Sequence, residues 1–186
     1  MPISCASIHS SINEFQRNYI YQLSLINPPA AVVEAFPQAN QFVQKIDVYN
    51  EKAVFPDRKT NPITIKWCGE FFEIPGTDAT TRNYEFTFYD DQQMWVYDFF
   101  SACKDLTGND ENHASVIGPE AKFDMAIAKV SVDKKTITAY RKLIGCRVYG
   151  VKCNDMDKSG DTVSKLSIEV RWDRNEDDVS MRGTEI

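Results

Sequence analysis

The stretch Asn83-Tyr84-Glu85-Phe86-Thr87-Phe88-Tyr89, then Asp90-Asp91-Gln92-Gln93, then Met94-Trp95-Val96-Tyr97-Asp98-Phe99-Phe100-Ser101-Ala102-Cys103 decides the fold. Its first seven residues alternate. Tyr84, Phe86 and Phe88 share one face, and Asn83, Glu85 and Thr87 the other, as in a half-buried strand. Past the two aspartates the period changes. At about 100° per residue, Trp95, Val96, Phe99, Phe100, Ala102, Cys103 and Leu106 share an arc roughly 160° wide. A strand therefore feeds a one-sided helix, the only strong helical pattern in the chain. Asp90 or Asp91 is the expected N-cap, because a short carboxylate accepts a backbone N–H there and suits the positive helix start. Gly108 is the expected stop. The expected structural core rests on Tyr84, Phe86, Phe88, Trp95, Phe99, Phe100 and, from the last strand, Trp172.

Working outward, the chain has 186 residues, which suits one domain. A domain of this size holds a core without metal or disulfides. The net charge is −6, which argues against a nucleic-acid-binding surface of clustered Lys and Arg. The five cysteines, Cys5, Cys68, Cys103, Cys146 and Cys153, are odd in number and scattered. They make no disulfide framework and point to a reducing compartment. Residues 1–13 lack the basic start and apolar run of a leader, and no stretch reaches the apolar length of a membrane span.

On either side of the central stretch the pattern is mostly of strands. Residues 1–16 read as a polar arm. Tyr19 to Ile26 alternates as a first strand, Ala30 to Phe36 holds one helical turn, and Phe42 to Tyr49 alternates through Phe42, Gln44, Ile46 and Val48 as a second strand. Asn50 to Pro62 is a long polar connection. Ile63 to Trp67 and Phe71 to Ile74 form a hairpin around Gly69-Glu70 and end at a Pro75-Gly76 turn. Asp105 to Glu120 is a polar loop. Phe123 to Val132 changes face along its length, from a bulge near Ala128 or burial on both sides. Thr136 to Leu143 and Cys146 to Cys153 are two strands either side of Gly145. Asp155 to Asp161 is a turn, Thr162 to Trp172 a clean amphipathic strand, and Asp173 to Ile186 a polar, partly disordered tail. The expected fold is mainly β with one flanking helix, an antiparallel β-sandwich or barrel of about eight strands.

Catalytic chemistry finds little footing. Asp155-Met156-Asp157-Lys158-Ser159-Gly160-Asp161 opens like a calcium loop. Its twelfth position is Leu166, where a bidentate Glu is needed, so it reads as an acidic turn. Cys146 and Cys153 are too far apart for a zinc pair. His9 and His113 lie in separate polar segments, in no nucleophile motif. No glycine cluster cradles a phosphate. Cys68 and Cys103, beside apolar neighbours, read as small core residues, and Asp177-Asp178 reads as solvated charge. No catalytic residue, cofactor or metal site is expected.

The order of short motifs resembles the tail-tube proteins of long-tailed contractile phages. The resemblance rests on Arg17-Asn18-Tyr19-Ile20-Tyr21-Gln22-Leu23, Phe36-Pro37 before Phe42-Val43-Gln44-Lys45-Ile46, and Ile74-Pro75-Gly76 before Tyr84 to Phe88. It continues through the helix ending in Phe99-Phe100, Leu143-Ile144-Gly145-Cys146, and Leu166 to Trp172. It covers roughly residues 13–174 in a chain divided as an arm (1–16), a tube domain (17–174) with long loops at 50–62 and 105–120, and a tail (175–186). The same fold group holds tube-initiating baseplate proteins and the type VI secretion tube protein. The resemblance implies a structural virion protein rather than an enzyme. Six subunits would form a ring lined by strands, and rings would stack head-to-tail into a tube within a sheath. The implied partners are other copies, tail sheath, and baseplate or tail-completion proteins, assembled in the host cytoplasm. DNA would pass through the lumen without specific binding. A lining mainly polar and acidic is expected, since negative charge repels phosphate. Phe55, Pro56, Asp57, Arg58 and Lys59 are candidate inter-ring contacts, or part of an ordinary solvated loop. A tube initiator and a monomeric β-sandwich binding module are the alternatives.

Overall fold

Strand Ile137–Cys153 carries the architecture in a computed structural model that describes residues 20–36, 39–57, 59–91, 93–108, 119–153 and 163–185. In chain order the strands are β1 (Tyr21–Ile26), β2 (Asn50–Lys52), β3 (Thr60–Trp67), β4 (Glu70–Asp78), β5 (Asn83–Tyr89), β6 (Phe123–Val130), β7 (Ile137–Cys153), β8 (Lys165–Arg171) and β9 (Arg174–Asp177). The helices are α1 (Ala30–Ala35), α2 (Ala39–Tyr49) and α3 (Trp95–Thr107). The main sheet runs β1-β6-β7-β8-β5-β2, and β9 also pairs with β7. Every pairing is antiparallel, and the sheet curls into a half-barrel. β3 and β4 form a separate two-stranded hairpin.

The two strands expected either side of Gly145 are one strand. The first half of β7 pairs with β6 and the second with β8. Gly145, at φ +69, lets the chain bend without breaking, and a Cβ there would stand 2.4 Å from Asp173 Oδ2. The Gly145 N–H donates to Asp124 Oδ1 at 3.1 Å, which ties the bend to β6.

The core lies between the concave sheet and the helices. Phe86 and Phe88 of β5, Leu166, Ile168 and Val170 of β8, and Val96, Phe99, Phe100 and Cys103 of α3 are buried. Phe100 meets Phe88 at 5.1 Å, Phe99 at 5.3 Å and Phe42 at 5.8 Å between ring centroids, separations at which aromatic pairs add to area burial. Trp172 is buried and stacks on half-buried Tyr84 at 5.0 Å. Trp95 is only half-buried and is absent from the core cluster, so the buried arc of α3 starts at Val96. Residues 126–128 of β6 are buried on both faces, and its register shifts fall toward its ends. Both explanations hold: the middle of β6 is buried on both sides, and the register with β7 shifts between Lys129 and Val130, next to Ala128.

Several expectations are corrected. The segment Phe42 to Tyr49 is helix α2, not a strand. Phe42 and Ile46, four apart, are buried, while Val48 is 78 % exposed. On a strand all three would share a face; on a helix only the first two do. Among the described residues the flanking helices are therefore three. Asp47 Oδ1 accepts from the Leu23 N–H at 2.6 Å, so α2 satisfies a donor on edge strand β1. Helix α3 begins at Trp95 rather than Asp91, and its N-cap is Met94 at φ 56 with no side-chain cap. Asp91 still accepts from the Trp95 N–H at 3.3 Å, in the first turn, and from the Gln93 N–H just before it at 3.0 Å. Gly108 ends α3 as expected.

Pro75 and Gly76 lie inside β4, not in a turn. Gly76 is required there because a Cβ would stand 2.6 Å from the Asn61 carbonyl. The turn is Cys68-Gly69, both at positive φ, so Cys68 is exposed at a hairpin tip and not in the core. Nor is the segment after Trp172 a loose tail. It forms β9, a 3-10 turn at Val179–Met181, and a bridge from Glu185 to Thr136. Asp177 is not solvated charge: its carboxylate, 17 % exposed, lies 3.7 Å from Arg141 and 3.4 Å from Arg182. The arm at 1–16, most of the loop at 105–120, the acidic turn at 155–161, Cys5, His9, Arg58 and His113 lie outside the described residues. Among the described residues no helix is long and apolar enough to cross a membrane.

Candidate assembly surface

The β3–β4 hairpin is the one element of the described chain that buries almost nothing. Residues 60–75 are all exposed, on both faces. Its register places Ile63 opposite Ile74, Ile65 opposite Phe72, and Trp67 opposite Glu70. Directly opposed residues share a face, so one face reads Ile63, Ile65, Trp67, Phe72 and Ile74, with Glu70 at the tip. The other face carries Thr64, Lys66, Phe71, Glu73 and two prolines. Trp67 and Phe71 are each 69 % exposed. An isolated two-stranded hairpin is marginal in water, and an exposed apolar strip of this kind marks an interaction surface.

The hairpin base is held firmly. The Ala79 N–H donates to the Lys59 carbonyl at 2.8 Å, and the Lys59 N–H to Thr80 Oγ1 at 3.3 Å. Asp78 accepts from the Thr80 hydroxyl and from its N–H, and lies 3.3 Å from Arg82. These partners, the Thr80 hydroxyl foremost, hold its carboxyl below the usual aspartate range. Four of the five expected inter-ring residues belong to this anchoring segment. Pro56 is buried, and its carbonyl accepts from Arg141 Nη1 at 3.4 Å. Phe55 lies under Lys129 at 4.7 Å and Arg141 at 5.4 Å. Asp57 accepts a short hydrogen bond from the Tyr84 hydroxyl. Lys59 is exposed, with its backbone pinned as above, and Arg58 is outside the described residues. Sequence reasoning missed the hairpin face itself. The signal was the run Ile63, Ile65, Trp67, whose alternation does not distinguish a strand in the core from one standing clear of it.

A second feature lies at the hairpin's root. Arg82, Asn83, Gly145, Arg147, Tyr149, Arg171, Trp172 and Asp173 line an open cleft of about 450 Å³. Beyond it, the face of β5, β8 and β7 turned from the core is polar. It carries Glu85 and Glu169 against Arg147, Lys152, Lys165 and Arg171. This face is more basic than acidic. At its far side Lys165 and the Tyr89 hydroxyl both bind Glu51 and hold its carboxyl below the usual glutamate range.

No family model matches the chain, and no curated protein does. Solved structures do share its fold. The sheath/tube terminator of an extracellular contractile injection system, PVC, superposes at TM-score 0.58 with 10 % identity, over 91 % of this chain and 100 % of that one. The tube-terminating cap of the anti-feeding prophage superposes at 0.58 with 11 % identity, over 89 % and 92 %. A chain of the PVC sheath-tube complex superposes at 0.54 with 12 % identity, over 94 % and 97 %. The chain thus has the fold of this tube-protein group.

Proposed function

We propose that this chain is a structural subunit of the inner tube of a contractile tail, built as stacked hexameric rings that conduct DNA through the host envelope. The observation that carries the reading is the β3–β4 hairpin. In a lone chain it exposes five large apolar side chains on one face; between copies in a ring or stack they would be covered. The fold shared with tube and tube-terminator proteins supports the same reading. The role is non-enzymatic, and its partners are further copies, sheath and baseplate. A second reading, a single ring at one end of the tube, is favoured by the likeness to two tube terminators. Negative-stain microscopy of the purified protein across a concentration series tests both. Long tubes of one diameter identify a main tube subunit, and rings that do not stack identify an end protein. A monomer at every concentration would overturn the proposal.

A further inference from the structure

The cleft at the hairpin's root is built from like charges. Arg147 and Arg171 stand directly opposite each other on β7 and β8, and Asn83 stands opposite Arg171 on β5. Like charges directly opposed on a sheet are destabilising. Arg82, which donates to the Asp173 carbonyl at 2.5 Å and lies 3.3 Å from Asp78, brings a third guanidinium to the same lining. The carboxylate among the lining residues, Asp173, is bound by Lys122 at 2.6 Å. Arg171 is paired with Glu169 at 3.4 Å, and both side chains are about half exposed; such a surface pair is worth about 0–1 kcal/mol and is easily exchanged. The aromatic side is present too. The Arg171 guanidinium lies 4.4 Å from the Tyr149 ring, and Tyr149 is exposed. Trp172, 4 % exposed, lines the cleft, and its indole N–H has no acceptor among the described residues. In a chain of net charge −6, this concentration of arginine fits an anionic, aromatic occupant.

The hairpin tip has that chemistry. Trp67 and Glu70 are opposed across the Cys68-Gly69 turn, and both are exposed. A carboxylate suits paired guanidinium groups, and an indole face suits a cation. We propose that the Arg82–Arg147–Arg171 cleft receives the Trp67–Glu70 hairpin tip of a second copy of this chain. The inference rests on the self-assembly proposed above and names the receiving site.

Charge reversal tests it on the full-length chain by sedimentation velocity, with thermal melting to check that each variant folds. Arg171→Glu and Glu70→Arg should each raise the concentration needed for half-assembly by about tenfold, since reversing one partner of an interfacial charge pair leaves the other buried against a like charge. The double variant Arg171→Glu/Glu70→Arg should recover most of that loss, because every copy then carries the reversed pair. Wild-type assembly with singles that assemble normally, or a double that only adds their defects, would overturn the cleft assignment and leave the tube reading standing. Failure of the wild-type chain to assemble would remove both. A fluorescent oligonucleotide that binds in an Arg171-dependent way, while assembly ignores the reversals, would also overturn the proposal.

Discussion

Cysteine thiols show how far a residue's neighbours in sequence mislead about its neighbours in space. Cys68 and Cys103 both sit beside apolar residues, yet one is exposed at a hairpin tip and the other wholly buried in α3. Burial pushes the Cys103 thiol up to about 12 and raises Cys146 as well. The reactive species is the thiolate, so these two should resist maleimide in the native state at neutral pH. In the unassembled chain Cys68 should label fast and Cys153, half-buried, slowly; peptide mapping by mass spectrometry after timed labelling at a concentration below assembly reads the order. Gly145 gives a second residue-scale test. Gly145→Ala meets positive φ and a carboxylate oxygen at 2.4 Å, and should cost about 1–3 kcal/mol in urea unfolding. Gly150→Ala, whose Cβ would sit at an ordinary 3.5 Å from Glu169, is the control and should be near neutral. The Glu51–Lys165 pair gives a third. Glu51 has a folded-state value below its unfolded one, so its stabilisation is full above the unfolded value and is lost as pH falls through the folded one. Lys165 is raised by the same hydrogen bond, so its share is full below its unfolded value and is lost as pH rises through the folded one. Glu51→Gln should therefore melt below wild type near pH 7 and converge on it as pH falls through the lowered folded-state value of Glu51.

Among elements, the central strand and helix were legible because their periods are clean over many residues. Phe86 and Phe88 alternate into the core, and Val96, Phe99, Phe100 and Cys103 follow the helical period. Helix α2 was not legible in the same way, because Phe42, Ile46 and Val48 satisfy period two while Phe42, Val43, Ile46 and Tyr49 satisfy the helical period equally well. The residues on which they differ decide: Val43 and Tyr49 pack against the core, and Val48 is exposed. The start of α3 was missed for a related reason. Asp91 behaves as a capping side chain, yet Met94 takes the left-handed cap position and delays the helix by one turn. The energetic consequence is sharp where the elements meet. Phe99→Asp puts a carboxylate among aromatic rings where the side chain is 2 % exposed, and should abolish soluble folding. Phe100→Ala, which removes a ring touching Phe42, Phe88 and Phe99, should cost about 3–5 kcal/mol while still folding. A soluble, cooperatively melting Phe99→Asp protein would mean that the buried face of α3 is wrongly placed.

At the scale of the molecule, what sequence could not convey is which apolar strands have a partner within the same chain. β8 and β3 look alike as alternating segments. Leu166, Ile168 and Val170 belong to the buried core, whereas Ile63, Ile65 and Trp67 face only their partners across the hairpin and are 44–69 % exposed. The polar C-terminal segment errs in the opposite direction: its charges suggested solvent, but Asp177 and Arg174 belong to a strand paired with β7. The difference between internal and external partners can be separated by experiment. Ile65→Ser/Phe72→Ser removes one cross-strand pair whose members are 44 and 48 % exposed, so the isolated chain should lose no more than about 1 kcal/mol. Assembly should be lost, because the same area is what a second copy would cover. Ile168→Ser, at an equally apolar but buried position, should instead lose about 2–5 kcal/mol of stability. At concentrations where that variant remains folded, its assembly should persist. Melting by circular dichroism and ring formation by sedimentation, measured on the same samples, give the two readouts. A hairpin variant that melts early would mean that β3–β4 packs on its own chain and leaves no apolar face for another copy.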